Sequence, residues 1–530
     1  MYNAVSVGRG VIRRSETMRQ AAKTAGAALL CGVIASYCMG ATITVDPQTQ
    51  YQNMIGWEAT TYVCEADDPA FPNYKDTLFD LLVNDIGINR VRVEIRSGVE
   101  HDNDNWTDYR TGVIDYATWR ARRYANVNDN ADPCDINWDG FHFSEMDYNI
   151  DNVVLPIKQL CEARGEQLYI NLNYVAFTGQ ISGGIYIHDN AAEYAEFMLA
   201  AWLHLEDKYG WTPDALEIIL EPANVSQWSG TTVGNAIVAA KARLREHDYN
   251  PNVIVPSNPG VTSSIQYFNQ LVQVPGAVEN VAEYSYHLYW DRNDADVQAL
   301  ANQAAQYGLD ASMLEWWDAG CTYERLHKDL TLGMNSAWQA HVIRNLFVIN
   351  DSDPQHPTVA IAGPTKFTRQ YFKYVRLGAA RVGASSDSGT FAPIAWINEN
   401  GKAVVVVKAG AAGSFDVQGI PAGIYGIKYT WGTNASSPTA YDVDLADVQI
   451  GEGGMVSASI PGKGVITVYE KTMPQEAVNL CEDGIIDEKD LAVLAEFWLG
   501  YEEMADVFAD GIINYGDMAR LANYWYCAVP

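Results

Sequence analysis

Basic residues are scarce in this chain. Its 530 residues include 35 Lys and Arg against 66 Asp and Glu, which gives a formal net charge of −31 at pH 7. A protein this acidic repels phosphate backbones and anionic lipid, which argues against nucleic-acid binding. The chain is nevertheless 48% hydrophobic and contains 15 Trp and 31 Tyr, so it can bury a large core and is not a mostly disordered protein.

Motifs that define several other protein classes are also missing. No Gly-x-Ser-x-Gly sequence is present, which argues against a serine hydrolase of the α/β type. No glycine-rich loop follows a strand and opens a helix, which argues against nucleotide binding. The cysteines lack Cys-x-x-Cys spacing, as a zinc ribbon or thiol redox site would need. Cys481 and Cys527 flank one small module and are the best candidates for a disulfide.

Long apolar runs are absent except at the start of the chain. Five basic residues precede an apolar run over 25–37, and small residues follow near Gly40 and Ala41. This order predicts a signal peptide over 1–41 and a secreted or cell-surface protein. The alternative is a membrane anchor, but the run is shorter than the about 20 residues that a spanning helix needs, so we do not expect an integral membrane protein.

Apolar β-rich runs alternate with longer amphipathic runs between residues 42 and 384. This alternation predicts an α/β fold, specifically a (β/α)8 TIM barrel, with 42–50 as a candidate strand of a side domain. Short β-rich runs over 385–472 predict a β-sandwich side domain. The predicted barrel strands end at Trp57, Glu94, Asn173, Glu221, Asn258, Tyr289 and Glu315, with a weaker eighth near Ile361.

The last segment, 473–530, contains an internal repeat in which an acidic loop with a turn-forming glycine precedes an amphipathic helix. The loop resembles the front of an EF-hand, and the duplicated unit resembles a dockerin, the calcium-binding anchoring module of secreted polysaccharide-degrading enzymes. The resemblance implies Ca²⁺ and a cohesin-like or cell-surface partner. Cys481 and Phe508 replace the usual Asp or Asn, so a solvated acidic helix pair without metal is the alternative. The candidate metal ligands are Asn479, Asp483, Asp487, Asp490, Asp506, Asp510, Asn514 and Asp517.

Two carboxylates stand where barrel enzymes carry their catalytic groups, at the ends of the fourth and seventh predicted strands. They are Glu221 and Glu315. Hydrolysis of a glycosidic bond needs one carboxyl group to protonate the leaving oxygen and another to attack the anomeric carbon or activate water. The aromatic residues Trp228, Trp316 and Trp317 are candidates to stack on sugar faces. A lone glutamate at a strand end is more often a salt-bridged surface residue, but two glutamates at the ends of these two strands favour a catalytic role.

The region 42–384 resembles clan A of the glycoside hydrolases, which are retaining enzymes on (β/α)8 barrels. Glu221-Pro222 and Glu315 match the clan's acid/base and nucleophile, Arg92 its strand-two arginine, and His287 and Tyr289 its His-x-Tyr sequence. The resemblance implies that Arg92 and Tyr289 hold the nucleophile ionised. Leu220 departs from the clan, because an Asn that binds the sugar 2-hydroxyl usually precedes the acid/base. Asn173 and Asn224 are candidates to replace it.

The opening Gly56-Trp57 and the sandwich after the barrel are most similar to glycoside hydrolase family 30, whose side domain borrows an N-terminal strand. Trp57 and Glu58 are therefore candidate substrate contacts, although Glu58 and Glu94 have an equally good alternative in ion pairs with nearby arginines. The sequence thus predicts a retaining hydrolase of β-linked polysaccharide or oligosaccharide that needs no catalytic cofactor. The rivals are a catalytically inactive carbohydrate-binding barrel and a polysaccharide lyase.

Overall fold

The computed structural model describes residues 40–181, 185–316, 322–471, 480–481, 485–499, 507, 513 and 515–522. Residues 1–39 of the predicted signal peptide lie outside the described ranges, as does Cys527 of the predicted disulfide, whereas Ala41 already begins the first strand. None of the helices in the described ranges is both long and apolar enough to cross a membrane.

The first strand, β1 (Ala41–Asn53), belongs to a side sheet, and the next eight strands close into a parallel barrel in their order along the chain. The prediction of an eight-stranded parallel barrel is therefore confirmed. Its strands are β2 (Gly56–Thr60), β3 (Arg90–Arg96), β4 (Tyr169–Val175), β5 (Ala215–Glu217), β6 (Asn252–Gly260), β7 (Val281–Trp290), β8 (Asp310–Glu315) and β9 (Asn335–Val342).

The prediction that the eighth barrel strand lies near Ile361 is wrong. Strand β9 completes the barrel, and Ile361 ends β11 (Thr358–Ile361), which pairs only with β10 (Phe347–Asn350) in a separate two-stranded sheet. The helix that begins at Tyr323 stops after Thr331, and Met334 then takes a left-handed conformation with φ of +52°. That turn reverses the chain into β9.

Helices follow the barrel strands and cover the outside of the barrel. The α-helices of the described residues are α1 (Phe71–Asp80), α2 (Asn105–Arg110), α3 (Tyr116–Arg122), α4 (Ser144–Asn149), α5 (Leu155–Ala163), α6 (Ala191–Tyr209), α7 (Gly230–Arg245), α8 (Val261–Leu271), α9 (Asp294–Tyr307), α10 (Tyr323–Thr331), α11 (Gly363–Phe372), α12 (Glu488–Glu496) and α13 (Tyr515–Ala522). The long segment between β3 and β4 contains the short helices α2, α3 and α4.

Strand β3 shows how the sequence divides the barrel wall into two faces. Val91, Val93 and Ile95 join the main hydrophobic core between the barrel and its helices. The alternate residues point the other way because successive side chains of a strand face opposite sides. Four charged residues thereby line the inside of the barrel from its floor to its mouth, in the order Arg90, Arg92, Glu94 and Arg96.

The side domain is a nine-stranded sheet with its own hydrophobic core. It begins at Ala380 rather than at the predicted 385, and β1 lies inside it, antiparallel to β12 and parallel to β15. Its other strands are β12 (Ala380–Ser386), β13 (Phe391–Ile397), β14 (Ala403–Ala409), β15 (Gly413–Gln418), β16 (Gly423–Trp431), β17 (Ala440–Ile450), β18 (Val456–Ile460) and β19 (Gly464–Glu470).

The C-terminal segment forms two short helices, α12 and α13, that share a small apolar core. Of the predicted metal ligands, Asp487, Asp490 and Asp517 lie within the described residues. The carboxylate of Asp490 is fully buried and accepts hydrogen bonds from the backbone N–H groups of Cys481 at 3.1 Å and Asp487 at 2.9 Å. Asp487 caps α12. Five ligand candidates lie outside the described residues: Asn479, Asp483, Asp506, Asp510 and Asn514.

Candidate active site

Glu315 ends strand β8 inside the mouth of the barrel and is only 6% exposed. The Tyr289 hydroxyl donates to its Oε1 at 2.8 Å, and Nη2 of Arg92 donates to its Oε2. Burial alone would raise the pKa of Glu315, but Arg92 and His287 lower it below the ordinary range, and the two hydrogen bonds act in the same direction. Glu315 is therefore held as an oriented carboxylate.

Glu221 follows strand β5 in a strained backbone conformation. Its φ of +48° and ψ of +58° place a non-glycine residue in the left-handed region, immediately before Pro222. The backbone N–H of Glu221 donates to the carbonyl oxygen of Ser257 at 3.1 Å, which holds this turn against the neighbouring strand. The turn directs the side chain toward His287, and the residue remains 8% exposed.

Two side chains bind the carboxyl group of Glu221. Asn224 Nδ2 donates to Oε2 at 2.7 Å, and His287 Nδ1 lies 2.9 Å from Oε1. His287 is fully buried, which disfavours its charged form, but the carboxylates of Glu315 and Glu221 raise its pKa above the ordinary value. The other ring nitrogen of His287 has no hydrogen-bond partner among the described residues. The imidazole is thus placed between two acids.

Oxygen atoms of Glu221 and Glu315 and a ring nitrogen of His287 lie within 4.8 Å of one another. Three such atoms could in principle ligate a metal ion. However, Glu315 already receives hydrogen bonds on both oxygens from Arg92 and Tyr289, and the guanidinium cation would repel a metal ion at the same carboxylate. The donor set therefore suits proton transfer and nucleophilic attack better than metal binding.

The remaining predicted substrate contacts divide into those near the mouth and those elsewhere. Asn173 faces the barrel interior and is fully buried, and neither of its side-chain polar atoms has a hydrogen-bond partner within the described ranges. Asn224 instead positions Glu221. Leu220 turns away from the mouth and packs against Tyr124 and Val175, so its departure from the clan sequence fills an apolar cluster.

Two predicted aromatic contacts are wrong, because both side chains lie in the core. Trp57 is 1% exposed, and its indole N–H donates to the carbonyl oxygen of Val375 at 2.6 Å outside the barrel. Trp228 is 2% exposed and donates to the Tyr186 hydroxyl at 2.6 Å. Neither face is free for a sugar. In both cases the strand or loop turns the ring toward the helical layer.

Glu58 is also misplaced as a substrate contact. It lies near the floor of the barrel at 1% exposure, where Arg90 Nε donates to its Oε2 at 2.6 Å and Gln339 Nε2 donates to its Oε1 at 2.6 Å. Arg90 also makes a two-pronged ion pair with Glu283, with both contacts at 2.9 Å. The ion-pair alternative for Glu58 is the one the geometry matches.

The aromatic residues after Glu315 are only partly described. Trp316 is 5% exposed, its indole N–H has no hydrogen-bond partner in the described part of the chain, and the Arg292 guanidinium lies 5.3 Å from its ring centre. Trp317 lies outside the described residues.

Sequence reasoning missed the residues that surround the outer end of β3. Arg96 pairs with Glu94 at 2.5 Å, and Trp106 and Trp119 of the long segment between β3 and β4 lie beside this pair. Glu94 also accepts a hydrogen bond from Arg92 at 3.5 Å. The period-two run of charges in β3 was visible in the sequence and could have revealed a polar wall, but it does not say which loop covers it.

No family model matches the chain, and no curated protein matches it. Solved structures do match. A family 30 endoxylanase from Clostridium papyrosolvens C71 is 16% identical with a TM-score of 0.55, and the match covers 81% of this chain and 100% of that one. The catalytic domain of family 30 xylanase C from Talaromyces cellulolyticus is 16% identical with a TM-score of 0.56 over the same shares.

An endo-β-1,6-glucanase is 13% identical with a TM-score of 0.54, and the match covers 81% of this chain and 95% of that one. Identities this low bear on architecture alone. The chain therefore shares the fold of these glycoside hydrolase structures, a parallel (β/α)8 barrel joined to a β-sandwich-like side domain.

Proposed function

We propose that the protein is a secreted retaining glycoside hydrolase that cleaves β-linked polysaccharide or oligosaccharide, with Glu221 as acid/base and Glu315 as nucleophile. The observation that carries this proposal is the approach of their carboxylate oxygens to within 4.8 Å of each other. Retaining glycosidases hold these groups about 5–5.5 Å apart, whereas inverting enzymes leave about 6.5–9.5 Å for a water molecule.

The two steps follow from the surroundings of each acid. In the first, an oxygen of Glu315 bonds to the anomeric carbon as the glycosidic bond breaks, and the proton of Glu221 passes to the leaving oxygen. In the second, Glu221 takes a proton from water, whose oxygen replaces Glu315 at that carbon. Arg92 and Tyr289 keep Glu315 ionised for the attack.

Two residues hold the acid/base, and a third is placed to contact the sugar. Asn224 and His287 fix the Glu221 carboxyl group so that its proton is directed at the leaving oxygen. The buried amide of Asn173 has no hydrogen-bond partner in the described part of the chain, and it is our candidate for the 2-hydroxyl contact that Leu220 cannot make. No step requires a cofactor.

The proposal is tested with aryl β-glycosides that differ in their leaving group. Glu315→Ala should lose activity on all of them, and added azide should restore turnover through an α-glycosyl azide. Glu221→Ala should lose far more activity on a 4-nitrophenyl glycoside than on a 2,4-dinitrophenyl glycoside, because the better leaving group needs no proton. Glu246→Ala, a surface control at 62% side-chain exposure, should match the wild type.

The stereochemistry of the first-formed product completes the test. Proton NMR during hydrolysis of xylan or β-1,6-glucan should show the β-anomer before mutarotation. An initial α-anomer would replace the retaining mechanism with inversion, and products that absorb in the ultraviolet would indicate a lyase. Binding without any turnover, unaltered in Glu315→Gln, would favour a carbohydrate-binding barrel.

We propose in addition that residues 1–41 direct export, and that the C-terminal repeat is a dockerin-like module that binds Ca²⁺ and a cohesin-like or cell-surface partner. Asp490 supports a structured loop, because its carboxylate gathers backbone N–H groups at the start of α12. Titration of the full chain with CaCl₂ tests the metal. Heat that is absent, or unchanged in Asp483→Ala with Asp510→Ala, would contradict calcium binding.

A further inference from the structure

A continuous line of hydrogen bonds runs between strand β4 and helix α6 and ends beside the turn that carries the acid/base. Trp228 Nε1 donates to the Tyr186 hydroxyl at 2.6 Å, and the hydroxyl oxygens of Tyr186 and Tyr174 lie 3.0 Å apart. The Tyr174 hydroxyl lies 2.7 Å from His188 Nδ1, and His188 Nε2 lies 2.6 Å from Oε2 of Glu100. These five side chains are called the relay below.

The chemistry of the two ends of the relay determines which atom donates at each link. An indole N–H can only donate, so Tyr186 accepts from Trp228 and keeps its own proton for Tyr174. A carboxylate accepts, so we assign the His188 proton to Nε2, and Nδ1 then accepts from Tyr174. Every donor in the relay thereby has an acceptor, and all of its protons point from Trp228 toward Glu100.

Most of the relay is shielded from water. Four of its members are buried: Glu100, His188, Tyr174 and Trp228. The rings of His188 and Tyr174 also contact the ring of Phe197 in α6, with ring centres 4.5 and 5.6 Å away. Buried hydrogen bonds polarise one another, and the loss of one leaves both of its partners unpaired. Removal of a single hydroxyl should therefore be felt along the relay.

Asn126, in the long segment between β3 and β4, fixes both neighbours of Tyr186. Its backbone N–H donates to the carbonyl oxygen of Ile185 at 2.9 Å, and its Oδ1 accepts from the backbone N–H of Ile187 at 3.1 Å. Its Nδ2 lies 3.4 Å from His188 Nδ1, in agreement with a nitrogen that accepts. The Tyr186 hydroxyl is thus presented by a braced segment.

The other end of the relay is joined to the acid/base through consecutive tight turns. The backbone N–H of Asn224 donates to the carbonyl oxygen of Glu221 at 2.8 Å, that of Val225 to Pro222 at 3.0 Å, and that of Trp228 to Val225 at 2.9 Å. Asn224 also binds the carboxyl group of Glu221. A displacement of the Trp228 indole is therefore passed to the position of that carboxyl group.

We propose that the relay positions Glu221 for proton transfer, with Tyr186 and Tyr174 as positioning residues that act through Trp228. The inference rests on the proposed glycosidase function, in which Glu221 is the acid/base. Because the relay is linked to Glu221, its loss should impair protonation of the leaving oxygen more than the attack of Glu315.

The test uses the 4-nitrophenyl and 2,4-dinitrophenyl β-glycosides of xylobiose and gentiobiose. Tyr186→Phe and Tyr174→Phe should each lower kcat/KM about fivefold or more on the 4-nitrophenyl glycosides, but less than about twofold on the 2,4-dinitrophenyl glycosides, whose leaving group needs no proton. A merely structural loss would lower both values to the same extent. If a tyrosine variant fails to fold, Trp228→Phe should give the same pattern, because it keeps a ring but removes the first donor.

Tyr284→Phe is the matched control. Tyr284 is fully buried on β7, and its hydroxyl donates to Oε1 of Gln303 at 2.9 Å, outside the relay. This variant loses the same group and should leave the ratio between the two leaving groups unchanged. A ratio unchanged in Tyr186→Phe or in Tyr174→Phe, while Glu221→Ala widens it, would overturn the relay and leave the glycosidase intact. Hydrolysis of none of the four glycosides by the wild type would count against both.

Discussion

Replacing Arg90 by Met should destabilise the barrel strongly, because it leaves two carboxylates buried without their cation. Arg90 is fully buried and makes three ionic hydrogen bonds, one to Glu58 at 2.6 Å and two to Glu283 at 2.9 Å. Breaking a buried ion pair by removing one partner costs about 3–5 kcal/mol. We expect a loss of this size in the free energy of unfolding at pH 7.

The loss should depend on pH in a defined direction. Burial already raises the pKa of Glu283 even with Arg90 beside it, and removing the cation raises that pKa further. A carboxyl group whose folded pKa exceeds its unfolded value stabilises the fold below the unfolded pKa, and that contribution is lost as pH rises through the folded pKa. Arg90→Met should therefore be more destabilised at pH 8 than at pH 5.

Urea unfolding followed by tryptophan fluorescence measures both effects. The triple variant Arg90→Met, Glu58→Gln, Glu283→Gln removes all three charges and should recover most of the stability. Lys158→Met, which breaks a surface pair within α5, should lose no more than about 1 kcal/mol. If Arg90→Met unfolds as readily as Lys158→Met, or the triple variant recovers nothing, the reasoning about the barrel floor is refuted.

Three further predictions concern the site, a buried histidine and the contact between barrel and side domain. Tyr289→Phe removes a hydrogen bond that lowers the pKa of Glu315, so the apparent pKa of the acidic limb of the kcat/KM profile should rise by up to about one pH unit. An unchanged apparent pKa would contradict the role assigned to Tyr289. Burial lowers the pKa of His327 to about 3, against about 6.5 in the unfolded chain, so lowering the pH from 6.5 to 3 should cost the wild type up to about 5 kcal/mol of its free energy of unfolding. The variant His327→Gln should not show this loss. Urea titrations in which variant and wild type are equally sensitive to acid would contradict the prediction. A Cβ on Gly363 would lie 1.9 Å from a carbonyl oxygen of the side domain, so Gly363→Ala should lower the midpoint of thermal unfolding. Gly389→Ala should leave the midpoint unchanged, because there is open space around Gly389. Equal midpoints for the two variants would show that the contact between barrel and side domain can shift to accept the methyl group.

The sequence was sufficient for the barrel because its pattern is repetitive. Apolar strands followed by amphipathic helices predicted the parallel ring, and the strands ending near Glu221 and Glu315 were placed at its mouth. The eighth strand was missed for a local reason. Strand β9 mixes polar and apolar residues beside a genuine helix, and the turn between them is marked only by Gly333, which precedes Met334.

Some of the predicted site residues lie elsewhere in the structure, because spacing along a strand does not say which face a residue occupies. Trp57 and Glu58 are neighbours that point to opposite sides of β2, one into the helical layer and the other into the barrel floor. Neither faces a substrate. The partners of Arg90 come from strands far apart in sequence, and only the closed ring brings them together.

The position of β1 has a consequence for the order in which the protein can form. Ile43 pairs with Ser386 and, on the other side, with Val417, so an interior strand of the side sheet is synthesised more than 300 residues before its neighbours. Closing a loop of that length lowers the entropy of the chain before the hydrogen bonds of the strand pairing can form. During synthesis, β1 must remain unpaired until the barrel that it precedes has been made. A gene fragment that begins at the barrel or at Ala380 would leave a gap between β12 and β15, so the two domains cannot be separated by a single cut.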